Sequence, residues 1–202
     1  MTRKRLFYIV FFAGLVVAFY AAVSFLVPGF GKPKINPIGA VRPFTFINQD
    51  GRTVTEKALE GKVAAVEYFF TTCKGICPRM NNNMRAIYEA YKNEPDFLIL
   101  SHTSDPATDS AARLKRYADS MQVNTDRWVF LTGRKDSLYN MARYAYKIDD
   151  PANNLQSPEE DFLHTQFIAL VDREGHVVKI YDGLKKSELA EMKERIGKEL
   201  NK

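Results

Sequence analysis

Cys73 and Cys77 are the only thiols in 202 residues, and they stand four apart in Thr71-Thr72-Cys73-Lys74-Gly75-Ile76-Cys77-Pro78. In a helical or near-helical turn that spacing puts both sulfurs on one side. Such a pair can close a disulfide, exchange electrons with a partner thiol, or hold one metal ion. A purely structural disulfide is the weaker reading, because so short a loop removes little freedom from the unfolded chain. For a metal, zinc asks for a fourth ligand in a closed site. Two thiolates and one imidazole suit copper instead, whose Cu(I) form accepts low coordination. The location also favours chemistry. Cys73 follows an apolar, strand-like run and is expected to open a helix, where exposed N–H groups and the dipole lower a thiol pKa. Lys74 and Arg79 add positive charge nearby, and Pro78 fits a first helical turn, which misses no donor there.

Three histidines are present to supply an imidazole. His164 lies between a long loop and a strand-like segment and is the leading candidate. His102 ends another strand-like segment just before Asp105-Pro106 and ranks second; the alternative for it is a hydrogen-bonded residue at a strand end. His176 follows a turn and reads as a solvated strand residue. Met80 and Met84 carry thioethers, which bind Cu(I). Their spacing with Ile87 and Tyr91 reads instead as the core face of a helix. Asp105, in Ser104-Asp105-Pro106, reads as a turn or helix cap. No phosphate-binding loop, dinucleotide fingerprint or paired-carboxylate hydrolase pattern occurs in the sequence.

The elements that must position these residues follow from hydrophobic period and punctuation. Phe44–Asn48 and Arg52–Thr55 flank the turn Gln49-Asp50-Gly51 as a strand pair. Val63–Phe70 is an apolar run broken only by Glu67, the mark of a strand buried on both faces. Arg79–Lys92 has helical spacing. Phe97–His102 reads as a strand, Ser110–Met121 as a helix, Trp128–Leu131 as a strand and Ser137–Tyr146 as a helix. The stretch Lys147–Phe162 is long for a loop in a compact domain, and such loops are often functional. Gln166–Val171 and His176–Tyr181 form a hairpin across Asp172–Gly175, and Lys186–Leu200 closes the chain as a helix. Strand–helix alternation followed by a hairpin and a last helix predicts an α/β fold, a thioredoxin-like mixed sheet flanked by helices. In such a domain the loop before the hairpin faces the cysteine turn, which favours His164.

Residues 6–27 contain no charged side chain. At about 1.5 Å per residue they span about 33 Å, enough for a bilayer core of about 30 Å. The run exceeds the apolar region of a signal peptide, and Phe25-Leu26-Val27-Pro28 is a poor cleavage site, so one N-terminal transmembrane helix is expected. Arg3, Lys4 and Arg5 precede it and should stay in the cytoplasm. The formal net charge is +5, and residues 1–34, with five basic groups and no acid, account for all of it. The surplus belongs to the membrane segment, which argues against nucleic acid as a partner. The expected organisation is a basic start at 1–5, an anchor at 6–27, a Pro/Gly-rich tether at 28–43 and one domain at 44–202.

These segments resemble the Sco/SenC family. Phe70-Thr71-Thr72-Cys73-Lys74-Gly75-Ile76-Cys77-Pro78 is similar to its F-T-x-C-x-x-x-C-P, and Ser104-Asp105-Pro106-Ala107-Thr108-Asp109 to its V-D-P-x-x-D. Trp128-Val129-Phe130-Leu131-Thr132-Gly133 resembles W-x-x-L-T-G. Phe162-Leu163-His164-Thr165 with Phe167–Asp172 resembles D-H-[ST] and the strand after it. The likeness covers about residues 38–200, the extent of one domain. Lys74 stands where the family often has Pro, Leu163 where it often has Asp, and His102 where it usually has an apolar residue.

The resemblance implies a membrane-anchored, thioredoxin-like protein that binds copper, as Cu(I) or Cu(II), through Cys73, Cys77 and His164. Asp105 would then lie beside the site. It implies delivery of copper to, or preparation of, the CuA-bearing subunit of cytochrome c oxidase, with other copper chaperones as partners. The expected location is a bacterial inner membrane, with the domain in the periplasm. The alternative is a thiol–disulfide oxidoreductase in which Cys73 attacks and Cys77 resolves. The proline that thioredoxin-type enzymes place before the strand facing the dithiol is missing from Leu163–Gln166.

Overall fold

The computed structural model describes residues 3–26, 36–149, 163 and 165–202. One compact unit ends at Ile35 and a second runs from Asn36 to Lys202. The first contains α1 (Arg3–Leu26), which is apolar on every side and has no acidic residue. It is long and apolar enough to cross a membrane, with a mean hydropathy of 2.5. The helix starts three residues before the expected span and takes in the basic Arg3, Lys4 and Arg5. The end of the expected span at Val27, and the first half of the tether, lie outside the described residues.

The second unit is built on one mixed sheet. Its strands are β1 (Gly39–Ala40), β2 (Thr45–Asn48), β3 (Thr53–Thr55), β4 (Val63–Phe69), β5 (Phe97–Thr103), β6 (Trp128–Thr132), β7 (Phe167–Val171) and β8 (His176–Asp182), in the order β1-β8-β7-β4-β5-β6-β2-β3. β4, β5 and β6 are parallel, whereas β7 runs antiparallel to β4 and β8 to β7. Every residue of β4 and β5 is buried, which is why their sequences read as continuous apolar runs rather than alternations. The helices are α2 (Cys77–Tyr91), α3 (Ala111–Met121), α4 (Lys135–Asn140) and α5 (Lys186–Leu200).

The sheet has to curl. β1 and β2 lie six strand spacings apart in the sheet order, about 29 Å if the sheet were flat. The five residue steps from Ala40 to Thr45 reach only about 18 Å. The curl encloses one core around Phe46, Tyr68, Leu100, Leu138 and Tyr146. A second core, of Phe69, Met84, Trp128, Phe130 and Met192, lies under α2, α3 and α5 on the other face.

Three differences from the sequence reading have local causes. Gly39–Ala40, read as tether, pairs with Val177 and His176; a Cβ at Gly39 would come within 2.2 Å of the Ala145 carbonyl oxygen, so only glycine allows this approach. The helix placed at Ser137–Tyr146 is α4 followed by one π turn, Met141–Ala145. α2 begins at Cys77, not Cys73, so the first cysteine sits in the turn before the helix.

Candidate metal and thiol site

β4 delivers the chain to the carboxyl edge of the sheet, where α/β folds place their sites. A turn carries Cys73, half-buried, and Cys77, buried at the first position of α2. Pro78 falls in the first helical turn, as expected. The two thiols are hydrogen-bonded to each other, and they differ in kind. Burial opposes a thiolate at Cys73, but hydrogen bonds from the Cys77 thiol and from the amides of Cys77, Gly75 and Ile76 outweigh it and lower its pKa. The turn amides thus act on Cys73 although it lies outside the helix, and hydrogen bonds rather than the charges of Lys74 and Arg79 lead the effect. Burial drives the Cys77 thiol the other way, helped by its bond to Cys73 and by the nearby Glu67 carboxyl. The pair therefore combines one accessible, acidic thiol with one buried, reluctant one.

His164 lies outside the described residues, but both its neighbours in sequence are fixed. The Leu163 amide donates to the Tyr139 hydroxyl at 3.1 Å, which donates to the Ser104 carbonyl at 2.8 Å. The Thr165 hydroxyl donates to the Ile148 carbonyl at 2.7 Å. Leu163 and Thr165 are both buried. β7, which starts at Phe167, is antiparallel to β4, so its first residues lie at the edge where β4 ends.

The other candidates are accounted for. His102 is the penultimate residue of β5, one position before its end, and it is fully buried. Neither ring nitrogen has a hydrogen-bond partner, which corrects the reading of a hydrogen-bonded strand-end residue. Its ring packs among Phe44, Phe46, Tyr68 and Tyr146 at centroid distances of 4.9–6.3 Å, and burial lowers its pKa to about 3. His102 faces the enclosed core, whereas Cys77 packs in the core across the sheet. His176 is half-exposed and lies 3.5 Å from Asp172, as a solvated strand residue should. Met80 and Met84 are buried packing residues. Asp105 caps its turn, with Oδ1 accepting the Thr108 amide at 3.3 Å.

Two residues around the thiols escape a sequence reading. Glu67 is fully buried; Oε1 accepts the Ser101 hydroxyl at 2.6 Å, and Oε2 has no donor. Burial raises its pKa to about 7 against the pull of Ser101. Asp109 is fully buried and accepts hydrogen bonds from Thr71 and Thr103. Its signal was the spacing within Ser104–Asp109, with threonines at the ends of two neighbouring strands.

The SCO1/SenC family profile matches residues 34–201. The SCO1 protein homolog of Bacillus subtilis is 33% identical over 174 residues, covering 85% of this chain and 86% of its own. Among solved structures, BsSco, a member of the Sco family of cytochrome c oxidase assembly proteins in which a disulfide switch has been identified, superposes with a TM-score of 0.68 at 30% identity, over 82% of this chain and 96% of its own. Yeast Sco1 with copper bound gives a TM-score of 0.60 at 28% identity, over 79% of this chain and 89% of its own. With a family match across nearly all of the second unit, a thioredoxin-like mixed sheet and a paired thiol turn at its carboxyl edge, the chain belongs to the SCO1/SenC family.

Proposed function

We propose that this protein is a membrane-anchored copper carrier that delivers copper to, or prepares, the CuA site of cytochrome c oxidase during assembly. The observation that carries this reading is the hydrogen-bonded thiol pair with one acidic member at the carboxyl edge of the sheet. The copper-bound yeast relative supports it. Cys73 and Cys77 supply soft thiolates and His164 the third ligand, with Asp105 beside the site. His164, expected from the sequence between a long loop and a strand, would be a ligand that can leave, so that copper passes to a receiving site. Binding needs both sulfurs deprotonated, so it releases protons and strengthens as pH rises. Residues 1–5 lie in the cytoplasm, 6–27 cross the inner membrane, the Pro/Gly-rich stretch between them and β1 tethers, and the domain that begins with β1 works in the periplasm beside other copper chaperones.

The second reading, a thiol–disulfide oxidoreductase, draws support from the same split between the thiols. Cys73 is suited to attack and Cys77 to resolve. His164→Ala separates the two readings. The full chain in detergent is titrated with Cu(II) while thiolate charge-transfer absorption is followed. The carrier reading expects a strong loss of affinity and an altered band, with the Cys73–Cys77 disulfide still able to form. Unchanged copper binding, together with rapid reduction of a small disulfide, overturns it in favour of the oxidoreductase.

A further inference from the structure

The two cysteines are held by different devices. Cys77 is the first residue of α2 and packs into the core, so helix and core both fix it. Cys73 lies in the preceding turn. Among the described residues, the Cys73–Cys77 contact aside, the side-chain hydrogen bonds that join residues 71–75 to the rest of the domain are those of Thr71, and they lead to Asp109 and Arg113. The Thr71 amide donates to Asp109 Oδ2 at 3.0 Å, and the Thr71 hydroxyl donates to Oδ1. Asp109 Oδ2 also accepts the Thr103 hydroxyl at 2.6 Å, which ties the clamp to the end of β5. Arg113 Nε donates to Thr71 Oγ1 at 2.6 Å and lies 3.6 Å from Asp109 Oδ1. The Thr103 oxygen accepts the Asp105 amide at 2.9 Å, so the network joins the cysteine turn to the Asp105 turn.

We propose that Asp109, acting through Thr71, is the positioning residue that sets where Cys73 stands relative to Cys77, and with it the readiness of the pair to close a disulfide or to bind copper together. The copper half rests on the function proposed above; the disulfide half does not. A carboxylate taken wholly out of water is costly unless several donors meet it, and here two residues supply three. Removing it leaves the Thr71 amide and the Thr103 hydroxyl without their acceptor. The turn beyond Thr71 then keeps its internal bonds and the packing of Cys73 against Cys77 and the core, but no hydrogen-bonded clamp to the end of β5. The effective concentration of one thiol at the other depends on how firmly both are placed, and Cys73 is the member set free.

The test equilibrates the full chain in detergent with glutathione. The two cysteine thiols give two electrons and two protons to one glutathione disulfide, which leaves as two glutathione thiols while the Cys73–Cys77 bond forms. Thr71→Val removes the hydroxyl at nearly constant shape, and Asp109→Ala removes the acceptor. Each is expected to lower the equilibrium constant for disulfide closure by about three- to tenfold, the scale of a lost buried hydrogen bond, and to shift the Cu(II)–thiolate absorption. Thr71→Ser keeps the hydroxyl and should restore both readouts. Val177→Ala, in the enclosed core, should lose stability and leave both unchanged. Thr71→Val indistinguishable from wild type, or Val177→Ala moving both readouts as far, overturns the proposal. If Asp109→Ala fails to fold, the Thr71 variants decide. If wild-type protein shows no Cu(II)–thiolate band, the copper function falls while the glutathione equilibrium still decides the clamp.

Discussion

β4 buries the carboxyl of Glu67 and β5 the imidazole of His102, on opposite faces and in adjacent registers. Glu67 and Ser101 point into the core beneath α2, and Tyr68 and His102 into the enclosed aromatic core. Both Glu67 and His102 are shielded from water, and burial disfavours the charged form of each. The consequences differ because the surroundings differ. His102 is enclosed by four aromatic rings, and neither nitrogen is bonded. Its protonation acts on stability alone. Glu67 belongs to a polar chain, since the Ser101 hydroxyl that bonds it accepts the Trp128 indole N–H at 2.7 Å. Its charge reaches Cys77, whose thiol it helps to keep protonated. One sheet thus separates a closed face, which holds the fold, from a face that opens at the strand ends into thiol chemistry.

The largest effects come from exchanging the insults between the faces. Cys77→Ala should abolish stoichiometric copper binding, since one thiolate cannot replace two. His102→Ala should retain full copper stoichiometry while losing about 2–4 kcal/mol of stability, as for large-to-small changes in a packed core. Copper uptake and urea unfolding followed by Trp128 fluorescence check both. Loss of copper in His102→Ala without loss of stability would break the comparison.

An intermediate effect lies in the pH dependence. Between about pH 4.5 and 7 the unfolded chain has released the Glu67 proton and the fold has kept it, so stability falls as pH rises through that window. The shift corresponds to about 3 kcal/mol at about 1.4 kcal/mol per unit. Between about pH 6.5 and 3 the unfolded chain takes up a proton at His102 and the fold does not, so stability falls as pH drops. The two slopes oppose each other from about pH 4.5 to 6.5 and should largely cancel in the wild type. Glu67→Gln should therefore unmask a rise in stability with pH below about 6.5. His102→Phe should unmask a fall between about 4.5 and 7. Identical profiles for the two variants would contradict the assignment of opposite signs to the two faces.

The smallest effect concerns Met84, which packs in the same core as Cys77. Met84→Leu conserves volume and should cost less than about 1.5 kcal/mol, with the copper absorption spectrum unchanged. A displaced band would move Met84 from packing into the metal site.

Much of this arrangement is legible in the sequence. Punctuation by glycine and proline and the change of period between strands and helices locate most elements to within a few residues, and the carboxyl end of β4 carries the thiols as expected. What escapes depends on tertiary contacts. A two-residue strand such as Gly39–Ala40 has no period to read. The start of α2 is masked because Lys74 and Gly75 are compatible with either a turn or a first helical turn. β5 is buried on both faces, so no alternation reveals that His102 shares a face with Leu98 and Leu100 rather than with the thiols. Asp109 looks like one more residue of an acidic turn until the curled sheet brings the ends of β4 and β5 beneath it.

In the proposed function both thiols and one imidazole hold a single copper ion. X-ray absorption at the copper edge on the full, reduced chain in detergent, compared with His164→Ala and with the Cys73–Cys77 disulfide form, tests it most directly. One copper per chain, two sulfur neighbours and one imidazole nitrogen are expected, with the nitrogen lost in His164→Ala and no copper retained by the disulfide form. A disulfide form that binds copper as fully as the reduced protein, or an imidazole signal that survives in His164→Ala, would contradict it.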